Sequence, residues 1–108
     1  MTRAEMSLVF EKVWSEIGVL REAGQKEYAH REENAFANFE RVGESLGMSR
    51  ERVLMVYLLK HLDGISAYTQ GHRSQREDVR GRINDAIVYL LLLRGMVDEK
   101  ETAFEVPA

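Results

Sequence analysis

The chain contains no cysteine, which closes off a disulfide framework, a thiolate metal site and a cysteine nucleophile. Its one proline, Pro107, stands next to the end, so nothing of that kind interrupts a helix before it. A sandwich or barrel would need turn residues at short regular intervals, and this sequence does not supply them. There is no excess of positive charge either: 15 Lys and Arg against 18 Asp and Glu leave a net −3. No global field therefore draws in nucleic acid, and any basic surface must be local. Long hydrophobic runs are also missing. The longest, Ala86 to Leu93, has 8 residues, whereas a membrane span needs about 20. The opening MTRAEMSLVF carries Glu5 and lacks the apolar centre of a signal peptide. The expectation is a protein of the cytoplasm with no membrane partner.

What remains is a chain of 108 residues, 44% hydrophobic and 31% charged, long enough for one domain with one core. Thr2 and Glu5 have capping-box spacing, and Met6, Phe10, Val13, Ile17 and Leu20 fall on one stripe flanked by Val9 and Trp14. This predicts a helix over about residues 3–23, ending at Gly24, with a stripe that something must cover. Residues 25 to 33 are almost wholly polar and read as a connector. From Asn34 the spacing of Ala35, Phe36, Phe39, Val42 and Leu46 predicts a second helix over 34–46, stopped by Gly47. Ser49 caps a third over 50–70, with Leu54, Leu58, Leu62 and Ile65 as its main apolar face. Ser74 and Glu77 repeat the capping-box spacing ahead of a fourth, over 75–98, apolar nearly all round and so expected at the centre. The tail, 99–108, is expected to fray. The fold class is all-α: a four-helix bundle-like single domain, completed by oligomerisation.

Chemistry has few places to sit. On the fourth helix Asp78, Arg82, Asp85 and Tyr89 share a strip about 60° wide. Carboxylates there suit a metal ion and Arg82 suits a phosphate; the plainer alternative is a pair between Arg82 and Asp85 at the bundle's edge. The third helix offers Lys60, Asp63, Gly64 and Ala67 on one flank, with Gly64 allowing close approach of a backbone or ligand. If that flank meets the strip, two acids and two cations converge; otherwise Lys60 and Asp63 pair in solvent. In HREENAFANFE, amides alternate with aromatics: Asn34 and Asn38 suit a base edge, and Phe36 or Tyr28 suits stacking on it. The alternative puts Phe36 and Phe39 in the core and Asn34 at a helix cap. Glu32 and Glu33 are either metal ligands or a solvated charge run. Arg73, Arg76, Arg80 and Arg82 surround a helix start where a phosphate docks readily, although Glu77 and Asp78 dilute the field and argue against duplex binding. His30, His61 and His72 lack zinc spacing, and no phosphate loop or nucleophile motif is present.

The order KEYAHREENAFANF, LLKHLDGI, GRINDAIVYLLLL, over roughly residues 26 to 98, resembles small phage and bacterial proteins of the nucleotide modification associated domain type. These are similar to the all-α, MazG-like nucleotide pyrophosphatases. Tyr28, Asn34, Phe36, Asn38, Phe39, Lys60, Asp63, Asp85 and Tyr89 match the outline. The resemblance implies a nucleotide-sized cleft between helices and a bacterial host cell if the protein is phage-encoded. For a nucleotide-binding protein of this kind the candidate nucleotide-binding residues are Tyr28, Asn34, Phe36, Asn38 and Lys60, with Arg80 and Arg82 added as holders of phosphate, and Asp63 and Asp85 are the candidates for Mg2+. MazG-like enzymes pair acids one turn apart on a helix. Here Asp63 has no such neighbour, and Arg82 stands where a second acid beside Asp85 is expected. Sequestration and hydrolysis or modification of a nucleotide thus both stay open. A reading from another class is a non-enzymatic helical homo-oligomer, such as a homodimer, that binds a host or phage protein.

Overall fold

A computed structural model describes residues 1–24, 34–73 and 78–101. Four helices run through them: α1 (Arg3–Gly24), α2 (Ala37–Leu46), α3 (Arg50–Thr69) and α4 (Val79–Glu101). The domain is all-α and bundle-like, and the described residues contain no strand. No helix among them is long and apolar enough to cross a membrane.

Each helix starts for a local reason. At α1 the Thr2 backbone N–H donates to Glu5 Oε1 (3.3 Å) while Thr2 Oγ1 accepts from the Glu5 N–H (3.0 Å), the reciprocal cap expected from their spacing. At α3, Ser49 Oγ accepts from the Arg52 N–H. The second helix starts later than expected because Asn34 builds a turn in front of it. Its Oδ1 accepts from the Phe36 N–H (3.0 Å), which holds Ala35 and Phe36 out of the helix. Gly47 ends α2 in the left-handed conformation at φ 68°. Asp78 precedes α4 and its Oδ1 accepts from the Arg80 N–H (2.8 Å). The expected cap formed by Ser74 and Glu77 lies outside the described residues.

Helices α3 and α4 form an antiparallel pair. Arg50 near the start of α3 reaches Glu99 near the end of α4 (3.3 Å), and Gly64 near the end of α3 meets Arg82 near the start of α4. Helix α2 packs at the Arg50 end, where Phe39, Val53, Leu54 and Met96 make the core and Phe36, Val42, Met48, Tyr57, Tyr89, Leu92 and Leu93 pack around it. Arg50 fastens this corner. Its guanidinium bonds to Glu40 (3.1 Å), Glu51 (3.4 Å) and Glu99, and lies 4.9 Å over the Phe36 ring. Burial alone would lower the Arg50 pKa, but its three carboxylate partners outweigh that and raise it.

Among the described helices, α1 packs on α4 alone, at the opposite end from α2. Of its expected stripe only Ile17 is buried; Val9 and Val13 are half-buried, and Phe10 and Trp14 remain 68% and 69% exposed. On α3 the inward face is rotated from the expected one. Val53, Leu54, Leu58 and His61 are buried, while Leu62 is 41% exposed. The polar strip of α4 needs a partner as much as the leucines do, and meeting it turns the helix toward Tyr57 and His61. Helix α4 is apolar nearly all round, as expected, yet it is not covered all round: Ile83, Leu90, Leu91 and Val97 are exposed.

Candidate functional site

Residues Arg82, Asp85 and Tyr89 recur at three- and four-residue steps, so they share a face of α4, and that face meets α3. Arg82 lies against Gly64. A Cβ at position 64 would come within 2.5 Å of Arg82 Cδ and Nη1. The glycine in α3 therefore makes room for a side chain of its own fold. Asp85 Oδ2 stands 3.6 Å from His61 Nε2, within electrostatic reach but long for a hydrogen bond. His61 is the one buried polar side chain among the described residues, and its Nδ1 meets no hydrogen-bond partner there. Its ring lies 5.6 Å from that of Tyr89, which stacks on Tyr57 (6.1 Å), and both tyrosines present to Phe39 edge-on. The polar seam thus runs without a break into the aromatic core.

Lys60 and Asp63 do not join it. Both are exposed. With Tyr57, His61 and Gly64 turned inward, the step of about 100° per residue sends Lys60 to the flank and Asp63 outward. The structure therefore does not gather Lys60, Asp63, Arg82 and Asp85 into one cavity, and Asp63 is not brought to Asp85. Among the described residues no group of three or more His, Cys, Asp or Glu is placed to hold a metal ion.

An open groove of about 590 Å³ runs between α1 and α4, lined by Ser15, Glu16, Val19, Leu20, Gly81, Asn84 and Asp85. Asn84 Nδ2 donates to Glu16 Oε2 across it (2.7 Å). Its charged lining residues are two acids, Glu16 and Asp85, with no Lys or Arg. A phosphate would meet repulsion there unless a divalent cation came with it. A shallower depression of about 360 Å³ lies at the α2–α3 turn, between Glu40, Gly43, Glu44, Gly47, Met48 and Arg50.

The aromatic-amide stretch takes the plainer arrangement only in part: Phe39 is in the core with Phe36 packed against it, but Phe36 is the N-cap residue of α2 and Asn34 forms the turn before it. Asn34 donates from Nδ2 to Glu40 Oε2 (2.8 Å) while its Oδ1 holds the turn, so both ends of the amide are in use. Asn38 Oδ1 accepts from Arg41 Nη2 (2.6 Å). Phe36 is wedged between the Arg50 guanidinium and Gly95, whose notional Cβ would sit 3.2 Å from Phe36 Cζ. These three residues lie at the α2 end of the fold, away from Asp85. Tyr28, with Glu32, Glu33 and Arg76, lies outside the described residues. Arg80 is exposed and pairs with Asp78 (3.6 Å), whose carboxylate already occupies the start of α4 where a phosphate was expected.

Sequence reasoning passed over His61, Tyr57, Arg50, Glu16 and Asn84. The first two carried a usable signal, since 57, 61 and 64 share the same periodicity as 82, 85 and 89. Glu16 and Asn84 are far apart in the chain and carried none. Comparison with family models, with curated proteins and with solved structures finds no match to this chain.

Proposed function

We propose that the protein is a non-enzymatic helical homo-oligomer that works by binding another protein. The observation that carries this reading is how little of its apolar surface the single chain covers. Leu8, Phe10, Trp14 and Val19 on α1 are each 65–70% exposed, and Val56, Leu59, Leu90, Leu91 and Val97 on α3 and α4 are each 43–56% exposed. Isolated exposed apolar residues are ordinary; faces on three helices of a small domain mark association. The test is light scattering over a concentration series. The expected mass is a multiple of the 12.4 kDa chain; a monomer at every concentration would refute the reading.

The groove beside Asp85 favours a second reading, a nucleotide-binding protein that takes its ligand between α1 and α4. Its volume lies within the range of small-molecule sites, and Asp85 is among the residues that carry the resemblance to the nucleotide modification associated proteins. Glu16 and Asp85 would hold Mg2+ and Arg82, one turn before, would approach the phosphate. Calorimetric titration with a nucleotide panel, with and without magnesium, decides it: binding that needs magnesium and is lost in Asp85→Ala supports this site, and absence of binding removes it.

A further inference from the structure

A protein that binds another protein needs a surface whose chemistry selects its partner, and the groove between α1 and α4 has one. On α1, Glu16 and Leu20 stand one turn apart, as do Ser15 and Val19, so the four share a face. On α4, Gly81 and Asp85 are spaced in the same way, with Asn84 beside them. One wall is thus partly aliphatic, with Val19 70% and Leu20 39% exposed, and each wall carries one acid, Glu16 or Asp85. Asn84 Nδ2 holds Glu16 Oε2 at 2.7 Å, which fixes the carboxylate and leaves its other oxygen to accept from a ligand. The arginines at this end of α4 are turned elsewhere: Arg80 pairs with Asp78, and Arg82 lies over Gly64 of α3.

We propose that this groove takes an arginine or lysine side chain of the partner protein. The proposal rests on the reading as a protein that binds another protein and names the chemistry of the contact. Such a side chain matches both parts of the groove. Its aliphatic stem lies along Val19 and Leu20, and its charged head reaches Glu16 and Asp85. Arginine fits best, because its planar head can donate to two carboxylates at once. A bare anion is repelled by the same two acids, and a neutral apolar side chain would leave them without a counter-charge. The volume, about 590 Å³, suits a small ligand. The groove is open, however, which favours a side chain whose own protein covers the rest. The net charge of −3 adds a field that draws in a basic partner.

The test is an NMR titration of the full chain with three acetylated, amidated tripeptides that carry Arg, Gln or Glu between two leucines. The Arg peptide is expected to give saturable shifts at Gly81 and at the Asn84 side-chain amide, with none at the Trp14 indole. It should bind at least about tenfold more tightly than the Gln peptide, and the Glu peptide should not bind. Glu16→Gln is expected to weaken the Arg peptide about fivefold, and Glu16→Lys to abolish it. Circular dichroism should be unchanged in both variants, because Glu16 is exposed. If the Arg and Gln peptides bind alike, or Glu16→Gln binds as tightly as the wild type, the groove does not select a cation. If a nucleotide with magnesium moves Gly81 and Asn84 and the Arg peptide does not, the groove belongs to the nucleotide reading. A changed mass in Glu16→Lys by light scattering would give the groove to a second copy and overturn the proposal. These failures leave the homo-oligomer reading intact, whereas a monomeric wild type that binds the Arg peptide overturns the oligomer and keeps the groove.

Discussion

The Arg82 side chain lies across Gly64 so closely that the glycine has no room for a methyl group: Cδ, Nε and Nη1 of Arg82 all stand within 2.6 Å of the place a Cβ would take. Glycine inside a helix costs about 1 kcal/mol relative to alanine. The contact with Arg82 is what sets against that cost here. Gly64→Ala is therefore expected to stabilise the Arg82→Ala chain by about 1 kcal/mol, and to give no such gain in the wild type. A double-mutant cycle by urea denaturation measures the coupling, and equal effects in both backgrounds would show that the two residues do not constrain each other.

Gly43 presents the harder case. A Cβ there would stand 2.5 Å from the backbone oxygen of Met48, and the Met48 N–H in turn donates to the Gly43 oxygen (2.9 Å). Backbone on both sides leaves nothing flexible to yield. Gly43→Ala is expected to destabilise by about 2 kcal/mol or more, visible as a fall in the thermal midpoint, whereas alanine at Gly18, which has open space around it, should be harmless or favourable.

Acid should loosen the corner built on Arg50. The Glu51 carboxyl lies below its ordinary value of 4.5, first because its own backbone N–H at the start of α3 holds the carboxylate; burial opposes this, and Arg50 adds to it. Since the folded value is the lower one, the contribution is complete above the ordinary value and is lost as pH falls through the folded one. Thermal midpoints are expected to drop on acidification below about 4.5, and Glu51→Gln should flatten part of that drop. An identical pH profile in the variant would contradict the assignment.

Asp85 distinguishes structure from ligand chemistry. It faces the buried His61 and also lines the groove. If the α3–α4 seam needs it, Asp85→Ala leaves His61 without its acid neighbour and costs about 1–2 kcal/mol. A stabilising Asp85→Ala would instead mark a group kept for binding at the expense of the fold.

The helices could be read from the chain because their signals are local. Thr2 with Glu5, Ser49, and Gly47 act within one turn of themselves, so three boundaries fall within a residue or so of expectation. Asn34 shows where this fails: the same residue type serves as a cap or as a turn-former, and only the bond to Phe36 distinguishes the two uses. The candidate site was legible in half. The strip Arg82–Asp85–Tyr89 lies on one face, as its spacing requires, but what faces it depends on the rotation of α3 about its own axis. Leucines suggested one rotation, and the demand of the strip for His61 and Gly64 produced another. Lys60 and Asp63 were lost from the site by that turn alone.

Helix α1 is attached along one side only. Among the described residues it packs on α4 and on no other helix, and the Asn84–Glu16 hydrogen bond spans that contact. A segment held by a single neighbour opens on its own before the remainder melts, so α2, α3 and α4 constitute the cooperative unit and α1 a subsidiary one. Amide protons in the middle of α1 are expected to exchange with deuterium faster than those around Leu54 and Met96.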